Sequence, residues 1–187
     1  KKIIMIGSSW EYLPKTGNCL EGSRTNYLTP FSWAKNSLYN YIKDHSYFKN
    51  VKFVWLRVFF MYGKYQKNSS LIPHIFKQLK KNKKPKILSP NASNDFIHVD
   101  DVCRAIILAI KKKNISGIFN VGFGKLILVR DIYYTILKLL GKNQTKYKLT
   151  SRLYKNSKKE NYANIKKIRQ KLNFKPKINI IDGINKL

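Results

Sequence analysis

Acidic residues are scarce in this chain. Nine Asp and Glu stand against 38 Lys and Arg, a formal net charge of +29 over 187 residues. Such an excess ordinarily points to a nucleic-acid or anionic-membrane partner. The lysines recur throughout, in the stretches 80–84, 111–113, 155–159 and 166–171, and not in one arm. That spread favours a lysine- and asparagine-rich composition over solvated helix faces. The expectation is no specific nucleic acid and no membrane partner, with non-specific polyanion binding only at low salt. Cysteine is nearly absent: Cys19 and Cys103 have neither metal-ligand spacing nor the makings of a disulfide framework, which suits a reducing compartment. No apolar run approaches bilayer length, and the stretch from Lys1 to Gly7 is too short for the apolar core of a signal peptide. The expected location is cytoplasmic. Finally, none of the nine glycines falls in a Gly-x-Gly-x-x-Gly run.

What is present reads as α/β. A hydrophobic content of 43% suits one domain with a real core. Ile3 to Ile6 is a continuous apolar run ending at Gly7, the pattern of a buried parallel strand. Ligand chemistry in open α/β sheets gathers at the carboxyl ends of strands, which places Ser8 well; its alternative role is a turn or helix cap. Residues 13–30 form a polar loop with Pro14, Gly17 and Gly22, expected to line a site mouth. Pro30 then opens a helix of about 15 residues with Phe31, Ala34, Leu38 and Tyr41 on one face. A strand is expected over 51–59, a helix of about ten residues from Leu71, and a short strand at Lys86–Leu88. A turn follows at Asn91–Ser93, and Asp100 is expected to cap a helix over Asp101–Lys112. A glycine-bounded strand at 117–124 leads into a helix over 129–140, and helical patterns at 163–172 and 180–187 close the chain.

Several of these stretches carry a specific resemblance. Ser8 stands four residues before Tyr12, and Lys35 sits one turn into the helix after Pro30. Leu56-Arg57-Val58-Phe59-Phe60-Met61-Tyr62-Gly63 is similar to Leu-Arg-x-Phe-Asn-x-Tyr-Gly, and Asn94-Asp95-Phe96-Ile97-His98-Val99-Asp100-Asp101-Val102 to Arg-Asp-Phe-x-x-Val-Asp-Asp-Val. Phe119-Asn120-Val121-Gly122 and Leu172-Asn173-Phe174-Lys175-Pro176 match two further elements. Together they resemble the extended short-chain dehydrogenase/reductases, the NAD-dependent nucleotide-sugar epimerase/dehydratase family.

The resemblance implies a partial Rossmann-like parallel sheet with a small α/β substrate-binding subdomain. Residues 1–63 would end the Rossmann core and 64–187 would be mainly substrate-binding. It also implies an NAD or NADP cofactor, a nucleotide-sugar substrate and a possible homodimer through the helix after Phe31. In the family, a Tyr four residues before the Lys takes the hydroxyl proton while hydride leaves the sugar carbon; the ammonium lowers the phenol's pKa. Here that position is Phe31. Losing general acid–base catalysis costs roughly 10²- to 10⁴-fold, so the resemblance implies a severe defect. Ser8 would polarise the sugar oxygen. Lys35 would hold the nicotinamide ribose, with Phe59 beside the cofactor, while Ser9, Phe60 and Asn94 would meet the substrate. Phe60 stands where the family has Asn, and Asn94 where it has the Arg that grips the pyrophosphate. Ser9-Trp10 replaces the Asp-Glu of the 4,6-dehydratases, and Glu11 falls one position too late for that role. Glu21 resembles an acidic loop residue. Arg57, Asp100 and Asp101 read as structural, and His98 as a strand residue without chemistry.

Other Tyr-x-x-x-Lys pairs occur at Tyr39, Tyr134, Tyr154 and Tyr162. None is expected to supply the base. Tyr39 lies two turns into its helix, Tyr134 on a later helix, and the last two in a lysine-rich loop. The resemblance covers only the family's second half, since the glycine fingerprint that seats the pyrophosphate on a helix N-terminus is missing. Upstream residues, or decay of a paralogue, would account for that. Three readings follow: an impaired epimerase or ketoreductase fragment, a non-catalytic nucleotide-sugar-binding or regulatory homologue, and a basic nucleic-acid binder resting on charge alone.

Overall fold

A computed structural model describes residues 1–149 and 160–187. Along the chain run β1 (Lys2–Ser8), β2 (Asn18–Cys19), α1 (Pro30–Asp44), β3 (Lys52–Val58), β4 (Phe60–Tyr62), α2 (Leu71–Lys80), β5 (Ser93–Asn94) and β6 (Phe96–His98). They are followed by α3 (Val99–Lys111), β7 (Gly117–Val121), β8 (Ile127–Leu128), α4 (Val129–Leu139), β9 (Tyr162–Ala163), α5 (Lys166–Leu172) and α6 (Ile180–Asn185).

The central sheet is parallel, in the order β1-β3-β7. Strand β3 lies between two partners and is covered on both faces, which explains its unbroken apolar run. Val54, Leu56 and Val58 pack against Val102, Ala105 and Ala109 of α3 and Ile168 and Leu172 of α5. The alternate residues Phe53 and Trp55 meet Tyr39 of α1, with ring centroids 6.0 and 5.5 Å apart. A second core joins α2, α4 and α6 through Ile72, Ile75, Leu79, Ile132, Ile136 and Ile184, with Tyr62 and Phe96 at its base. The sheet core thus draws α3, β7 and α5 from beyond Gly63.

Two buried polar clusters tie these parts together. Glu11 is fully buried; its carboxylate accepts from the Ser8 amide (2.7 Å), the Trp55 indole (2.9 Å) and Arg57 Nε (2.6 Å). Gly7 is glycine because the space a Cβ would fill is already taken by the Trp55 indole and the Glu11 carboxylate. Burial pulls Arg57 down, but Tyr12 and Glu11 more than offset it, so it stays charged. Asp95, also fully buried, accepts from the amides of Phe123 (2.7 Å), Gly124 (3.0 Å) and Ala163 (2.9 Å). It clasps the β5–β6 segment to the turn after β7 and to β9. Burial pushes its carboxyl up to about 6 despite these donors.

Several expectations need correction. Residues 86–88 form no strand: Ile87 is buried within a coil, and Ser93, expected in a turn, opens β5. Helix α3 is capped by His98, whose Nδ1 accepts from the Asp100 amide (3.2 Å), so Asp100 sits in the first turn. An imidazole at the end of β6 does what a carboxylate was expected to do. The first strand is only half buried because it is the edge of the sheet among the described residues. The stripe Phe31, Ala34, Leu38 and Tyr41 faces outward, while Ser32, Asn36 and Ile42 are buried. The helical pattern from Ala163 begins only at Lys166, after β9. Asp101 is structural, as expected: it accepts from the amides of Lys177 and Ile178 (2.9 Å each) and pairs with Arg104 (2.9 Å). Tyr154 and Lys158 lie outside the described residues.

Two outcomes test this packing. Glu11→Ala leaves a buried guanidinium uncompensated and is expected to cost about 3–5 kcal/mol in chemical denaturation; a loss below about 1 kcal/mol contradicts the network. For Asp95 the folded-state pKa is raised from 3.8 to about 6. Its contribution is therefore present at low pH and lost as pH rises through about 6. Between pH 7 and pH 5 this group alone should add about 1 kcal/mol of stability, a slope missing in Asp95→Asn. Identical pH profiles for the two proteins contradict that assignment.

Candidate active site

The site forms where β1 and β3 end. Ser8 closes β1 and caps a short 3₁₀ turn, Ser9–Glu11: its Oγ accepts from the Trp10 amide (3.2 Å) while Glu11 reaches back to the Ser8 amide. The cap and the site-facing roles weighed for Ser8 therefore coexist, because Oγ accepts within the turn and keeps its own proton to donate. Helix α1 starts just as locally. Thr29 Oγ1 accepts from the Ser32 amide (3.1 Å), Ser32 Oγ accepts from the Thr29 amide (3.1 Å), and Pro30 takes the first helical position. That start directs Phe31 toward the end of β1. Its ring meets Trp10 edge-on, centroids 6.5 Å apart. Lys35, one turn later, donates from Nζ to the Ile6 carbonyl (2.9 Å) and lies 5.9 Å from the Phe31 ring centre.

Two cavities flank this junction. Ser8, Phe31, Lys35 and Phe59 line one of about 410 Å³, walled otherwise by apolar side chains of β3 and α3 such as Val58, Val102 and Ile106. Ser9, Phe60 and Asn94 line the other, of about 280 Å³, with Trp10, Leu28 and Lys15. All seven residues singled out in the sequence thus gather around one strand-end junction, four on one side and three on the other. Phe60 and Asn94 also line a third hollow of about 240 Å³ that runs toward Gln66 and α2. Among the described residues, the competing tyrosines lie elsewhere. Tyr39 packs on the sheet, Tyr134 stacks beside Tyr133 in the second core, and Tyr162 belongs to β9.

The loop over 13–30 lines this cavity as expected, through Pro14, Lys15, Asn26, Leu28 and Thr29; Trp10, outside the loop, is the lining residue that sequence reasoning missed. The signal for Asn26 was its distance from the helix start: its Oδ1 accepts from the Leu28 amide (2.9 Å) and Ser32 Oγ (3.1 Å), anchoring the loop to α1. Tyr12 is a supporting residue. Its hydroxyl donates to Asn120 Oδ1 (2.6 Å), the Arg57 guanidinium lies 4.6 Å from its ring centre, and burial pushes the phenol up to about 12. Glu21 is tied in as well, accepting from the Asn120 amide (3.1 Å). Among the described residues no group of His, Cys, Asp and Glu could hold a metal ion, and no helix is long and apolar enough to cross a membrane.

Comparisons with known proteins agree with this geometry. The model of the NAD dependent epimerase/dehydratase family matches residues 1–122. UDP-glucuronate 4-epimerase of Thermodesulfobacterium geofontis is 27% identical over 191 residues, covering 100% of this chain and 58% of that enzyme. The crystal structure of UDP-glucuronic acid 4-epimerase from Bacillus cereus, in complex with UDP-glucuronic acid and NAD, has a TM-score of 0.84 at 26% identity. It matches over 99% of this chain and 59% of its own. A Tyr-to-Phe mutant of that enzyme, in complex with UDP-4-deoxy-4-fluoro-glucuronic acid and NAD, gives 0.81 at 27% identity, with the same 99% and 59% coverage. The chain therefore spans somewhat over half the length of these relatives. With its parallel sheet, its Ser8–Lys35 junction and a family model matching well over half its residues, the chain belongs to the NAD dependent epimerase/dehydratase family.

Proposed function

We propose that this chain is the substrate-binding portion of a nucleotide-sugar epimerase or ketoreductase whose proton transfer is impaired at Phe31. The observation that carries the reading is the convergence of Ser8, Phe31, Lys35 and Phe59 on one apolar cavity at the carboxyl ends of β1 and β3. That cavity suits the nicotinamide end of NAD. Val58, Phe59 and Ile106 offer apolar walls to a flat ring, and the Lys35 ammonium is at hand for ribose hydroxyls. The residues present do not include a glycine fingerprint for the pyrophosphate, so the fit extends to that end alone. When bound, the cofactor supplies hydride acceptance and return.

The chain's own groups do the rest. Ser8 donates its hydroxyl proton to the substrate oxygen while one of its two lone pairs accepts from the Trp10 amide. Lys35 is held in place by the Ile6 carbonyl. A phenyl ring at position 31 neither accepts nor donates a proton, so the step loses roughly 10²- to 10⁴-fold. Asn94 and Phe60 face the nucleotide-sugar side from the second cavity.

A second reading is a binding or regulatory homologue without catalysis, in which the Phe31 ring, half exposed, keeps an edge-on contact with Trp10 in place of a proton-transfer role. The Tyr-to-Phe mutant noted above, which is crystallised with both ligands, is compatible with binding in the absence of a phenol. In either reading the outward stripe of α1, with Trp33, Leu38 and Tyr41 exposed, is proposed to pair with a second copy. The positive charge is read as compositional, with no specific nucleic-acid partner.

Phe31→Tyr should restore the missing acid–base group. Its phenol is expected to titrate about one unit or more below 10, followed by ultraviolet absorbance, and the depression should vanish when Lys35→Met is added. Turnover of a nucleotide sugar in the presence of NAD should rise by roughly 10²-fold or more. An unshifted phenol would sink the assignment of positions 31 and 35. For the α1 surface, Leu38→Lys should convert a dimer to a monomer in sedimentation velocity; a monomeric parent protein would rule that surface out.

A further inference from the structure

The site residues stand on two separate elements: the end of β1 with its 3₁₀ turn presents Ser8, and α1 carries position 31 and Lys35. Asn26 is buried between them and spends every polar group it has on joining them. Its Nδ2 donates to the carbonyls of Trp10 (3.0 Å) and Tyr12 (2.5 Å), and its backbone amide to the carbonyl of Glu11 (2.8 Å). Three successive carbonyls of the turn thus converge on one residue. On the helix side, its Oδ1 accepts from the Leu28 amide (2.9 Å), in the lead-in to α1, and from Ser32 Oγ (3.1 Å), in the first turn. One turn further along, Asn36 Nδ2 donates back to the Asn26 carbonyl (2.6 Å) and to that of Glu11 (3.3 Å).

The pattern requires a short amide. A carboxylate of the same shape would accept on the helix side but has no proton for the carbonyls, and an apolar side chain offers neither. Apolar packing is non-directional and lets a helix settle over a range of positions, whereas a fully paired buried amide network fixes one. The other ties between α1 and the sheet are looser. Tyr39 meets Phe53 and Trp55 ring against ring, and Lys35 reaches the Ile6 carbonyl at the end of a flexible stem. Asn26 also lines the sugar-side cavity. With both Nδ2 hydrogens and both Oδ1 lone pairs engaged, it has nothing left with which to bind a substrate.

We propose, on the nucleotide-sugar reading given above, that Asn26 is a positioning residue for the reaction. It sets the Ser8 hydroxyl at its working distance from position 31 and Lys35, acting through the turn and the helix and not on the substrate. Misplacing reacting groups by about 1 Å costs roughly 10²-fold in rate, so its loss falls on turnover and not on affinity.

The test is Asn26→Asp, which keeps the acceptor side toward α1 and removes the two donors toward the turn. Trp10, on the turn, and Phe31, on the helix, meet edge-on with centroids 6.5 Å apart, close enough for nuclear Overhauser effects between their ring protons. In Asn26→Asp these should disappear while the cross-strand effects between β1 and β3 are kept. Asn36→Ala removes only the helix-side brace and should weaken them; it carries the test if Asn26→Asp does not fold. Unchanged Trp10–Phe31 effects in a folded variant overturn the assignment. In a Phe31→Tyr chain supplied with NAD and a nucleotide sugar, adding Asn26→Asp should lower kcat per folded molecule by roughly 10²-fold and leave KM within about threefold. An unchanged kcat, or a loss carried by KM, also overturns it. Absence of turnover in Phe31→Tyr alone overturns the nucleotide-sugar reading instead, and the ring contacts then decide whether Asn26 holds the junction.

Discussion

The buried Glu11–Arg57 pair is the constraint on which the site depends. Arg57 lies opposite Gly7 in the β1–β3 register, and the pair locks that register at the strand ends. A slip of one residue would turn Trp55 and Arg57 toward α3 and leave two charges without partners. Because the Glu11 carboxylate also accepts from the Ser8 amide, the same group shapes the 3₁₀ turn that presents Ser8 and Trp10. Arg57 in turn donates to the Glu21 carbonyl (3.2 Å) and covers the Tyr12 ring, so the loop after the turn hangs from it too. Buried ion pairs are weak contributors to net stability, but breaking one is costly. Here the cost of a mismatch specifies geometry at a site that needs it.

Much of this was legible in the chain because it is local. Continuous apolar strands, Pro30 at a helix start and the glycine-bounded turn after β7 each state their structure within a few residues. The seven residues singled out through motif spacing gather at one junction. What escaped was set at long range. Nothing near Glu11 in sequence announces a partner 46 residues away, and Asp95 meets an amide 68 residues further on. The cap on α3 was misread because Asp is the commoner cap, while a buried imidazole acceptor was free to serve. The spacing on α1 put Phe31, Ala34, Leu38 and Tyr41 on one face but did not say which way it points; the amide and hydroxyl of Asn36 and Ser32, spent on the loop, turn the other face inward.

The lysine excess has a physical place in the fold beyond its bulk. Lys2 Nζ donates to the carbonyls of Ala109 (2.6 Å), Ile110 (2.7 Å) and Lys112 (3.1 Å), closing the C-terminus of α3, where a cation also suits the helix dipole. Lys84 reaches the Lys148 carbonyl (2.7 Å) and Lys142 reaches Asn82 (2.6 Å). Such lysines are consumed by backbone carbonyls or, for Lys142, by the Asn82 side-chain oxygen. One cationic hollow stands apart: Lys64, Lys77 and Lys80 line a space of about 280 Å³ with Tyr65 and Phe76 on the far side of α2. It is the natural competitor for any phosphate-bearing ligand.

The central claim is that a nucleotide sugar sits across the junction at Ser8 and Phe60. A crystal structure of the chain grown with its tightest-binding nucleotide sugar tests it most directly. The account predicts sugar density bounded by Ser9, Trp10 and Phe60, with the phosphates running past Asn94 toward Gln66. Density confined to the hollow at Lys64, Lys77 and Lys80, with the strand-end cavities empty, would contradict it.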